Sequence, residues 1–320
     1  MRAIAFNAPG EPDVLEVHEL PDPAPGPGEV LIRVQAAAVS PTDTMRRTGA
    51  RTSKSEGPFV PGMDAAGFIE AIDVDADTDL QVGDEVMAFV VPDGSHGAYA
   101  ERIVVSAKSV TRIPAGSSLA EASPLPMNGL TARLALDTLA LREGAILAVT
   151  GAAGTLGGYV IQLAKAEGLT VVADAAEKDE ELVKATGADI VLPRGEGYAG
   201  KIREHFPDGV DGIVDAAVQV DEIVPAAKDG ATIITIRGDS GERERGVTLQ
   251  DIWVHSYDGE QTKLDMLRQQ VENETLTLRI ADLLPMQDAP EAHRRMEAGG
   301  VRGRLVLEFG DIPETDLDGV

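Results

Sequence analysis

Small residues interrupt a strand-like apolar run near the middle of the chain, in "AILAVTGAAGTLGGYV" at residues 145–160. The apolar pattern resumes with helical spacing, so the small residues are predicted to form a turn between a buried strand and a helix. Backbone N–H groups at such a turn, together with the helix N-terminus, bind the pyrophosphate of a dinucleotide without any cationic side chain. The candidate residues for this role are Ala152, Ala153, Gly154, Thr155, Leu156 and Gly157.

The spacing within the turn is Ala152-x-Gly154-x-x-Gly157, with alanine where the simplest dinucleotide motif has its first glycine. Gly154 permits close approach of the phosphates, and Gly157 allows the helix to pack closely on the sheet. A glycine-rich turn by itself also fits a merely structural connection. Asp174 favours the binding interpretation, because it ends the next predicted strand, where an acidic residue hydrogen-bonds the adenosine ribose. The alternative role for Asp174 is a helix N-cap.

The elements that position this turn alternate between strand and helix from about residue 125 onward. Such alternation predicts a parallel sheet with helices on both faces. The predicted strands cover residues 145–150, 169–174, 189–192, 211–217 and 231–237, and the first two helices cover 154–168 and 177–187.

Residues 1–115 have a different pattern, with short apolar runs separated by proline and glycine, which predicts a β-barrel-like domain. A strand at 247–256 is followed by a polar helix, a strand at 279–284, a helix and a strand at 303–309. These late elements are too few for a domain and are expected to rejoin the first one. The predicted domains are residues 1–122 completed by 259–310, then residues 123–258, with a loose acidic tail at 311–320.

Composition restricts the class of protein and its partners. The 320 residues include 54 acidic and 28 basic ones, with a net charge of −26, so nucleic acid and anionic membranes are not expected partners. The chain has no cysteine, which excludes disulfides, thiolate zinc sites and a cysteine nucleophile. It has no run of 18 uncharged apolar residues, and its first residues lack the apolar core of a signal peptide. A soluble cytoplasmic protein is therefore expected.

Several further segments occur along the chain. Each one alone is common, but the set in this order is highly specific for one protein family. The segments are "AVSPTDTMRRTG" (38–49), "PFVPGMDAAGFIEAI" (58–72), "VGDEV" (82–86), "HGAYAE" (96–101), "NGLTARLAL" (128–136), "GAD" (187–189) and "GRLVL" (303–307). With these segments and the glycine turn, the chain resembles the medium-chain dehydrogenase/reductase superfamily, in particular its zinc-independent quinone oxidoreductase branch. The resemblance implies an α/β fold, with a GroES-like β-barrel catalytic domain and a doubly wound Rossmann domain with a parallel sheet. It also implies hydride transfer in the cleft between the two domains.

The resemblance bears on metal binding. Zinc-using members place two cysteines and a histidine around the catalytic ion, and the matching positions here are Ser40, Met127 and Met63. A hydroxyl and two thioethers do not form a tetrahedral nitrogen and sulfur site for Zn²⁺, so no metal is expected. Oxidation of an unactivated alcohol is difficult without a Lewis acid. Hydride addition to a quinone or enone is easier, because a few hydrogen-bond donors stabilise the resulting enolate.

The resemblance gives conflicting indications for the nicotinamide cofactor. Asp174 stands where NAD-preferring relatives bind the ribose hydroxyls, whereas the quinone oxidoreductase branch mostly uses NADPH. Lys178 lies close to the family's phosphate-binding lysine, and Arg194 stands where an aromatic residue often packs beside the phosphate. NADPH is therefore favoured, with NADH possible because of Asp174. Solvated surface charge is the alternative interpretation of both cations.

Other family positions complete the expected cofactor site. By resemblance, Thr131 lies near the nicotinamide, and Ile236 and Arg237 follow the fifth strand at the edge of the same cleft. Arg304 corresponds to a family lysine in the strand that closes this cleft. The structural alternatives are a helix-turn hydroxyl for Thr131 and a strand-edge surface cation for Arg304.

The expected catalytic segment departs from the family pattern. Many relatives carry Asn and Tyr where this chain has Ser40 and Met45, and a thioether cannot donate a proton. The proton must then come from water or from another residue. Asp43 and His96 are candidates by location, although a turn-capping aspartate and a surface-loop histidine are the alternatives, and Tyr99 is expected in the core. The predicted catalytic set is Ser40, Asp43, Met45 and Thr131.

We predict a zinc-independent NAD(P)H-dependent reductase that transfers hydride to a quinone or an α,β-unsaturated carbonyl, which is a small-molecule substrate. One alternative is an enoyl-thioester reductase, whose anionic acyl carrier would meet Arg46, Arg47 and Arg51. Another is a NAD(P)H-binding protein with impaired catalysis, suggested by the loss of Asn and Tyr. A homodimer is expected by resemblance, because this family often pairs two subunits along the strand at 247–256.

Overall fold

A computed structural model describes residues 1–51 and 55–310 of the chain, so the predicted acidic tail at 311–320 lies outside the described residues. The chain divides into two compact units. The first unit comprises Met1–Met127, Asp258–Gln269 and the residues from Leu278 onward, and the second unit comprises Asn128–Tyr257 and Gln270–Thr277.

Strands and helices are numbered along the chain over the described residues. The strands are β1 (Arg2–Ala5), β2 (Glu16–Glu19), β3 (Glu29–Ala38), β4 (Asp64–Ile72), β5 (Glu85–Phe89), β6 (Arg102–Ser106), β7 (Val110–Arg112), β8 (Ile146–Thr150), β9 (Thr170–Ala175), β10 (Ile190–Pro193), β11 (Val210–Asp215), β12 (Ala227–Thr235), β13 (Gly241–Glu242), β14 (Thr248–Asp251), β15 (Ile280–Pro285) and β16 (Arg304–Glu308). The α-helices are α1 (Pro41–Arg47), α2 (Leu119–Ala122), α3 (Leu125–Leu139), α4 (Thr155–Ala166), α5 (Glu180–Ala185), α6 (Tyr198–His205), α7 (Val220–Ile223), α8 (Gln261–Glu272) and α9 (Ala289–Ala298). Over the described range, none of these helices combines the length and apolar character that crossing a membrane requires.

The second unit contains a seven-stranded sheet in the order β10-β9-β8-β11-β12-β14-β13, counted over the described residues. Every neighbouring pair is parallel except β13 with β14. Counted from β8, the parallel strands run 3-2-1-4-5-6, which is the doubly wound order of dinucleotide-binding folds. The predicted parallel sheet is therefore confirmed.

Apolar and β-branched runs explain why the central strands of this sheet are buried. β8 reads "ILAVT" and β9 reads "TVVADA". Leu147, Val149 and Val171 are fully buried in them, and each such side chain contributes about 1.5–3 kcal/mol to stability. The strand order reverses between β8 and β11, and folds of this type bind ligands beyond the carboxyl ends of the strands at that point.

The first unit contains another seven-stranded sheet, in which β15, β16, β3, β4, β5 and β7 follow one another and β6 pairs with β3, again over the described residues. All of its pairs are antiparallel except β15 with β16. In the middle of β3 the side chains alternate, with Ile32 and Val34 buried while Arg33 is exposed. The pattern follows from the period of two in a strand that faces a core on one side.

The strand predicted at 247–256 is too long. β14 ends at Asp251, and residues Val254–Tyr257 form a 3₁₀ turn. The N–H and the hydroxyl of Ser256 both donate to the carbonyl oxygen of Trp253, each at 3.0 Å. Such local bonds offer the backbone an alternative to strand pairing, and an apolar pattern alone does not reveal them.

Candidate functional site

The glycine turn of the second unit connects β8 to α4. Gly151 has a φ of 65°, in the left-handed region, and its carbonyl oxygen accepts a hydrogen bond from the N–H of Gly154 at 2.9 Å. Gly154 is the N-cap residue of α4 and provides no side-chain cap. The first N–H groups of α4 therefore have no side-chain acceptor from the cap residue, which is the arrangement that binds phosphate.

Two glycines keep this turn compact and open on one side. A Cβ atom at Gly157 would lie 2.4 Å from the carbonyl oxygen of Gly151, so only glycine lets α4 pack this closely on the turn. A Cβ atom at Gly154 would have only the Gly151 carbonyl oxygen within 4 Å, at 3.1 Å. Gly154 therefore borders open space, and any larger side chain there would fill it.

Asp174 lies under the turn. Its side chain is 2% exposed, and Oδ1 accepts a hydrogen bond from the N–H of Ala152 at 3.0 Å. The other carboxylate oxygen, Oδ2, is buried and has no hydrogen-bond partner among the described residues. Burial raises the pKa of Asp174, opposed by the amides of Ala152 and Gly151 and by the positive charge of Arg194. Asp174 is inside β9 and the next helical turn is capped by Ala176, so Asp174 is not an N-cap.

Two hydroxyl groups near the turn share the property of Asp174 Oδ2: they are buried and have no hydrogen-bond partner among the described residues. They are Thr155 Oγ1, at the start of α4, and Tyr198 Oη, at the start of α6. Burial, and secondarily the charge of Asp174, raises the pKa of Tyr198 well above its usual value. Buried polar groups are almost always satisfied, so three unsatisfied ones around one turn mark a place for a polar ligand. Tyr198 was missed in the sequence, where it follows Gly197 in "RGEGYAG".

The predicted phosphate-binding cations lie at the ends of neighbouring strands. Arg194 follows β10, its N–H donates to the carbonyl oxygen of Ala175 at 2.9 Å, and its side chain is exposed. Lys178 is exposed in the 3₁₀ turn after β9. Because Leu192 pairs with Asp174 in the register of the two strands, Arg194 lies close enough to influence the charge of Asp174.

Other predicted residues of the second unit are distributed as follows. Ile236 is half-buried and Arg237 is exposed, both directly after β12. Thr131 is buried in α3. Of the remaining turn residues, Ala152 and Ala153 are buried and Leu156 is half-buried.

The crevice beside the turn is fixed by a pair of side chains that the sequence analysis missed. Thr150 Oγ1 donates to Asp215 Oδ1 at 2.6 Å, and it accepts from the N–H of Ala217 at 3.1 Å. Asp215 Oδ2 accepts from the N–H of Gln219 at 2.7 Å. These bonds tie the ends of β8 and β11 together at the point where the strand order reverses.

Asp43 organises the candidate catalytic segment of the first unit. Its carboxylate is fully buried and accepts hydrogen bonds from the N–H of Ser40 at 2.8 Å and from the N–H of Gly62 at 3.0 Å. Tyr99 Oη donates to Asp43 Oδ2 at 3.3 Å. Burial raises the pKa of Asp43 to about 6, although its hydrogen bonds oppose the shift. Asp43 therefore holds the start of α1 against the 62–63 loop.

The network continues to a histidine that the sequence analysis did not single out. His293 Nε2 lies 3.3 Å from Tyr99 Oη, and the two rings meet edge to face. Burial lowers the pKa of His293 to about 3, so the ring is neutral near pH 7. Since Tyr99 gives its one proton to Asp43, His293 Nε2 carries the proton that it donates to Tyr99. The signal for His293 was its place on the apolar face of the predicted helix with Ala289 and Ala292.

Asp64 is a second buried carboxyl group that the sequence analysis missed. Its Oδ1 accepts from the N–H of Met127 at 2.6 Å, and its Oδ2 is buried without a partner among the described residues. Burial raises the pKa of Asp64 to about 8, although the Met127 amide and the charge of Arg304 oppose the shift. The group is therefore mostly protonated near pH 7. Its signal in the sequence was an acid at the start of a strand of small, buried residues.

The remaining candidates of the first unit have different degrees of exposure. Ser40 Oγ is buried and has no hydrogen-bond partner among the described residues, and Met45 is half-buried on α1. Arg304 is buried in β16. His96 is half-buried in the turn where it pairs with Asp93, and burial lowers its pKa.

Two families of known proteins match the chain. Residues 26–115 match the alcohol dehydrogenase GroES-like domain, and residues 186–307 match the zinc-binding dehydrogenase family, so that the matches cover more than half of the chain. The chain belongs to the medium-chain dehydrogenase/reductase superfamily. Within the superfamily its similarity lies with quinone oxidoreductases. The fold class predicted from the sequence is thereby confirmed.

Curated members of the superfamily resemble the chain at moderate identity. The NADPH-dependent alkenal/one oxidoreductase of Arabidopsis thaliana is 33% identical over 247 residues, which are 74% of this chain and 63% of that relative. The chain thus matches less than two thirds of that relative's length. The quinone oxidoreductase of Sus scrofa is 28% identical over 96% of this chain and 97% of its own length.

Solved structures of the superfamily superpose along nearly the whole chain. An NAD-dependent alcohol dehydrogenase has a TM-score of 0.86 at 28% identity, covering 97% of this chain and 100% of its own. A mycobacterial protein solved in complex with NADPH has a TM-score of 0.86 at 27% identity, with the same coverage.

The positions that zinc-using members of the superfamily devote to the metal do not suit zinc here. They hold Ser40, Met63 and Met127, with the Asp64 carboxyl group beside Met127. Structural and catalytic zinc sites use cysteine, histidine and carboxylate ligands, and the chain has no cysteine. Within the described residues, no group of three histidine, aspartate or glutamate side chains is placed to hold a metal ion.

Proposed function

We propose that this chain is a zinc-independent NAD(P)H-dependent oxidoreductase that transfers hydride to a quinone or an α,β-unsaturated carbonyl, with NADPH as the preferred cofactor. The observation that carries the proposal is the glycine turn with three buried, unsatisfied polar atoms around it: Asp174 Oδ2, Thr155 Oγ1 and Tyr198 Oη. The named activities of the relatives and the NADPH complex of a structural neighbour support the same assignment.

The residues of the turn fit the pyrophosphate of the cofactor. The N–H groups of Thr155, Leu156 and Gly157, at the start of α4, provide donors and the positive end of the helix dipole. The open space beside Gly154 admits the phosphates. When bound, the cofactor supplies the hydride.

The surroundings of Asp174 favour NADPH. A 2′-phosphate at about 4 Å from an ionised carboxylate costs about 4 kcal/mol at an effective dielectric constant of about 20. This cost falls here, because Asp174 is held under the turn by the Ala152 amide and burial favours its neutral form. Lys178 and Arg194 are exposed at the adjacent strand ends, where they would attract the phosphate. NADH is the second candidate, and Asp174 Oδ2 would then accept from the ribose hydroxyl.

The first unit fits a conjugated acceptor. Hydride adds to the β-carbon of an enone, the π electrons move to the carbonyl oxygen, and the resulting enolate takes up one proton. Ser40 Oγ and the protonated Asp64 Oδ2 are buried donors without partners in the described chain. We assign to these two groups the stabilisation of the enolate oxygen and the holding of the proton that the enolate takes up. Asp43 acts as a positioning residue for Ser40, and the half-buried Met45 offers an apolar surface to the acceptor.

We also propose a cytoplasmic homodimer, paired along the β13–β14 end of the second unit's sheet. In the described chain the sheet ends at β13, which covers only Thr248 and Leu249 of β14. The side chain of Trp253, which follows β14, is exposed. Light scattering after size exclusion tests this proposal, with twice the 33.6 kDa chain mass expected and a monomer at all concentrations contradicting it.

Oxidation of NADPH and NADH across a panel of quinones and enones tests the activity. We expect turnover of at least one acceptor, a higher kcat/KM with NADPH than with NADH, and no effect of a chelator. Tight binding of NADPH, measured by nicotinamide fluorescence, without turnover of any acceptor would indicate a NAD(P)H-binding protein instead. Loss of activity on chelation, restored by zinc, would refute the metal-independent mechanism.

A further inference from the structure

A small pocket of about 140 Å³ lies beside α1 in the first unit. Its apolar wall includes Phe6 and Phe59, whose ring centres are 5.4 Å apart, together with Val60 and Pro61. An engineered apolar cavity of about 150 Å³ holds one benzene molecule. The pocket therefore has room for a single six-membered ring or a short conjugated chain.

Two arginines line the same pocket, Arg46 and Arg51. Nε of Arg46 is buried and has no hydrogen-bond partner among the described residues. Burial lowers the pKa of Arg46, opposed by the charges of Asp43 and Asp93. A guanidinium group that is partly desolvated and has an unused donor is suited to a carboxylate, which it binds with charge-assisted hydrogen bonds.

The local charge balance of the pocket differs from that of the chain. The chain carries 54 acidic and 28 basic residues, whereas the charged residues that line the pocket, among those the structure describes, are two arginines and one acid, Asp93. Asp93 Oδ2 accepts a hydrogen bond from Ser55 Oγ at 2.8 Å, which occupies one of its oxygens. Arg47, which was expected beside the other two arginines, is instead buried, and it donates to Glu297 and to the carbonyl oxygen of Gly10. Arg47 therefore adds no free positive charge to the pocket.

We propose that this pocket binds a carboxylate attached to an aromatic ring or a short conjugated chain, with the carboxylate on Arg46 and the apolar part against Phe6 and Phe59. This inference rests on the proposed function, and it specifies the acceptor as an enone or quinone that bears a carboxylate. Met45 directly precedes Arg46 on α1, so the bound acid lies beside the segment to which we assign acceptor binding.

Binding of benzoate and of its neutral analogue benzamide to the full-length protein without cofactor tests the pocket directly. We expect benzoate to bind more tightly than benzamide in calorimetry or ligand-observed NMR. Arg46→Gln raises the Kd of benzoate at least tenfold, leaves that of benzamide within about twofold, and Arg46→Lys has an intermediate effect. Arg33→Gln is the matched control, because it removes the same charge from an exposed position on β3.

The proposal is overturned if benzoate binds no more tightly than benzamide, or if Arg46→Gln and Arg33→Gln weaken it equally. Unfolding midpoints of both variants show whether a loss of binding is a loss of folding, and Arg46→Lys provides the answer if Arg46→Gln unfolds. A second measurement compares kcat/KM for cinnamaldehyde and 4-carboxycinnamaldehyde. Benzoate binding that depends on Arg46, without turnover of any acceptor, refutes the proposed function and leaves the pocket assignment intact. Turnover of an acceptor without Arg46-dependent binding of benzoate refutes the pocket assignment and leaves the proposed function intact.

Discussion

The two units build their candidate sites from different parts of the chain. In the second unit, one continuous segment, 151–157, provides backbone N–H groups and a gap at Gly154, and the polar atoms around it are left unsatisfied. In the first unit, Asp43, Tyr99 and His293 come from distant segments and are joined to one another by buried hydrogen bonds. The glycine turn of the second unit is suited to receive a charged ligand, whereas the Asp43 network of the first unit holds its own elements in place.

Removal of the Asp43 carboxylate is expected to have the largest effect on stability. Asp43→Ala leaves the N–H groups of Ser40 and Gly62 buried without an acceptor, and Tyr99 keeps only His293 Nε2 as a partner for its hydroxyl. Each such group costs about 1–3 kcal/mol, so we expect a loss of about 3–5 kcal/mol in urea unfolding. Thr42→Ala on the same helix is the control, with a change within about 0.5 kcal/mol. Equal effects of the two variants would show that the network holds nothing in place.

A methyl group at Gly157 is expected to damage the second unit's site. Gly157→Ala places Cβ 2.4 Å from the Gly151 carbonyl oxygen, so we expect a loss of about 1–3 kcal/mol. We also expect at least a tenfold rise in the Kd for NADPH, measured by nicotinamide fluorescence. Gly200→Ala on α6 is the matched control, since no atom lies within 4 Å of its Cβ position. This control should gain up to about 1 kcal/mol from helix propensity. Unchanged NADPH affinity in Gly157→Ala would contradict the site assignment.

The pH dependence of the protein's stability shows whether Asp64 is protonated or ionised in the folded chain. The folded chain keeps the Asp64 proton up to about pH 8, whereas the unfolded chain loses it near pH 3.8. Ionisation therefore favours the unfolded chain between these values, and the stability contribution of Asp64 falls as pH rises.

The Asp64→Asn variant lacks this titration and keeps an oxygen for the Met127 amide. We expect its stability relative to wild type to rise by about 3–4 kcal/mol between pH 5 and pH 8, at about 1.4 kcal/mol per pH unit, measured by urea unfolding at each pH. Asp282→Asn, at an exposed position, controls for removal of one charge. A difference between Asp64→Asn and wild type that does not change with pH would mean that Asp64 is ionised throughout.

The smallest expected effect is on the choice of cofactor. Arg194→Ala removes a cation from the rim beside Asp174. We expect kcat/KM with NADPH to fall about five- to tenfold and kcat/KM with NADH to change less than twofold. Arg142→Ala is the control for loss of an exposed arginine in the same unit, away from the proposed sites. Equal losses with both cofactors would place the 2′-phosphate elsewhere.

The fold and the glycine turn were predictable from the sequence because their signals are local. A strand, small residues and a helix follow one another within about 20 residues, and the strand–helix alternation fixes a parallel sheet. Asp174 was predictable as the end of a strand, but its bond to the Ala152 amide, 22 positions away, depends on how the turn folds back over β9.

The first unit's site was only partly predictable: Ser40, Asp43 and Met45 were named from the resemblance, whereas the partners of Asp43 and the role of Asp64 depend on contacts between distant residues. Tyr99 and His293 are separated by 194 positions, and Asp64 and Met127 by 63. No spacing rule connects such pairs, and burial decides the protonation state of each group. The strand predicted at 247–256 was too long for a different, local reason: the N–H and the hydroxyl of Ser256 both donate to the carbonyl oxygen of Trp253 and form a turn there.

Amide NMR of the isotope-labelled full-length protein during a titration with NADPH reports on the glycine turn itself. The glycine turn is predicted to bind the cofactor's pyrophosphate, so the amide resonances of Gly154, Thr155, Leu156 and Gly157 should shift together and saturate. Saturable binding of NADPH that leaves these four resonances unmoved would show that the pyrophosphate binds elsewhere.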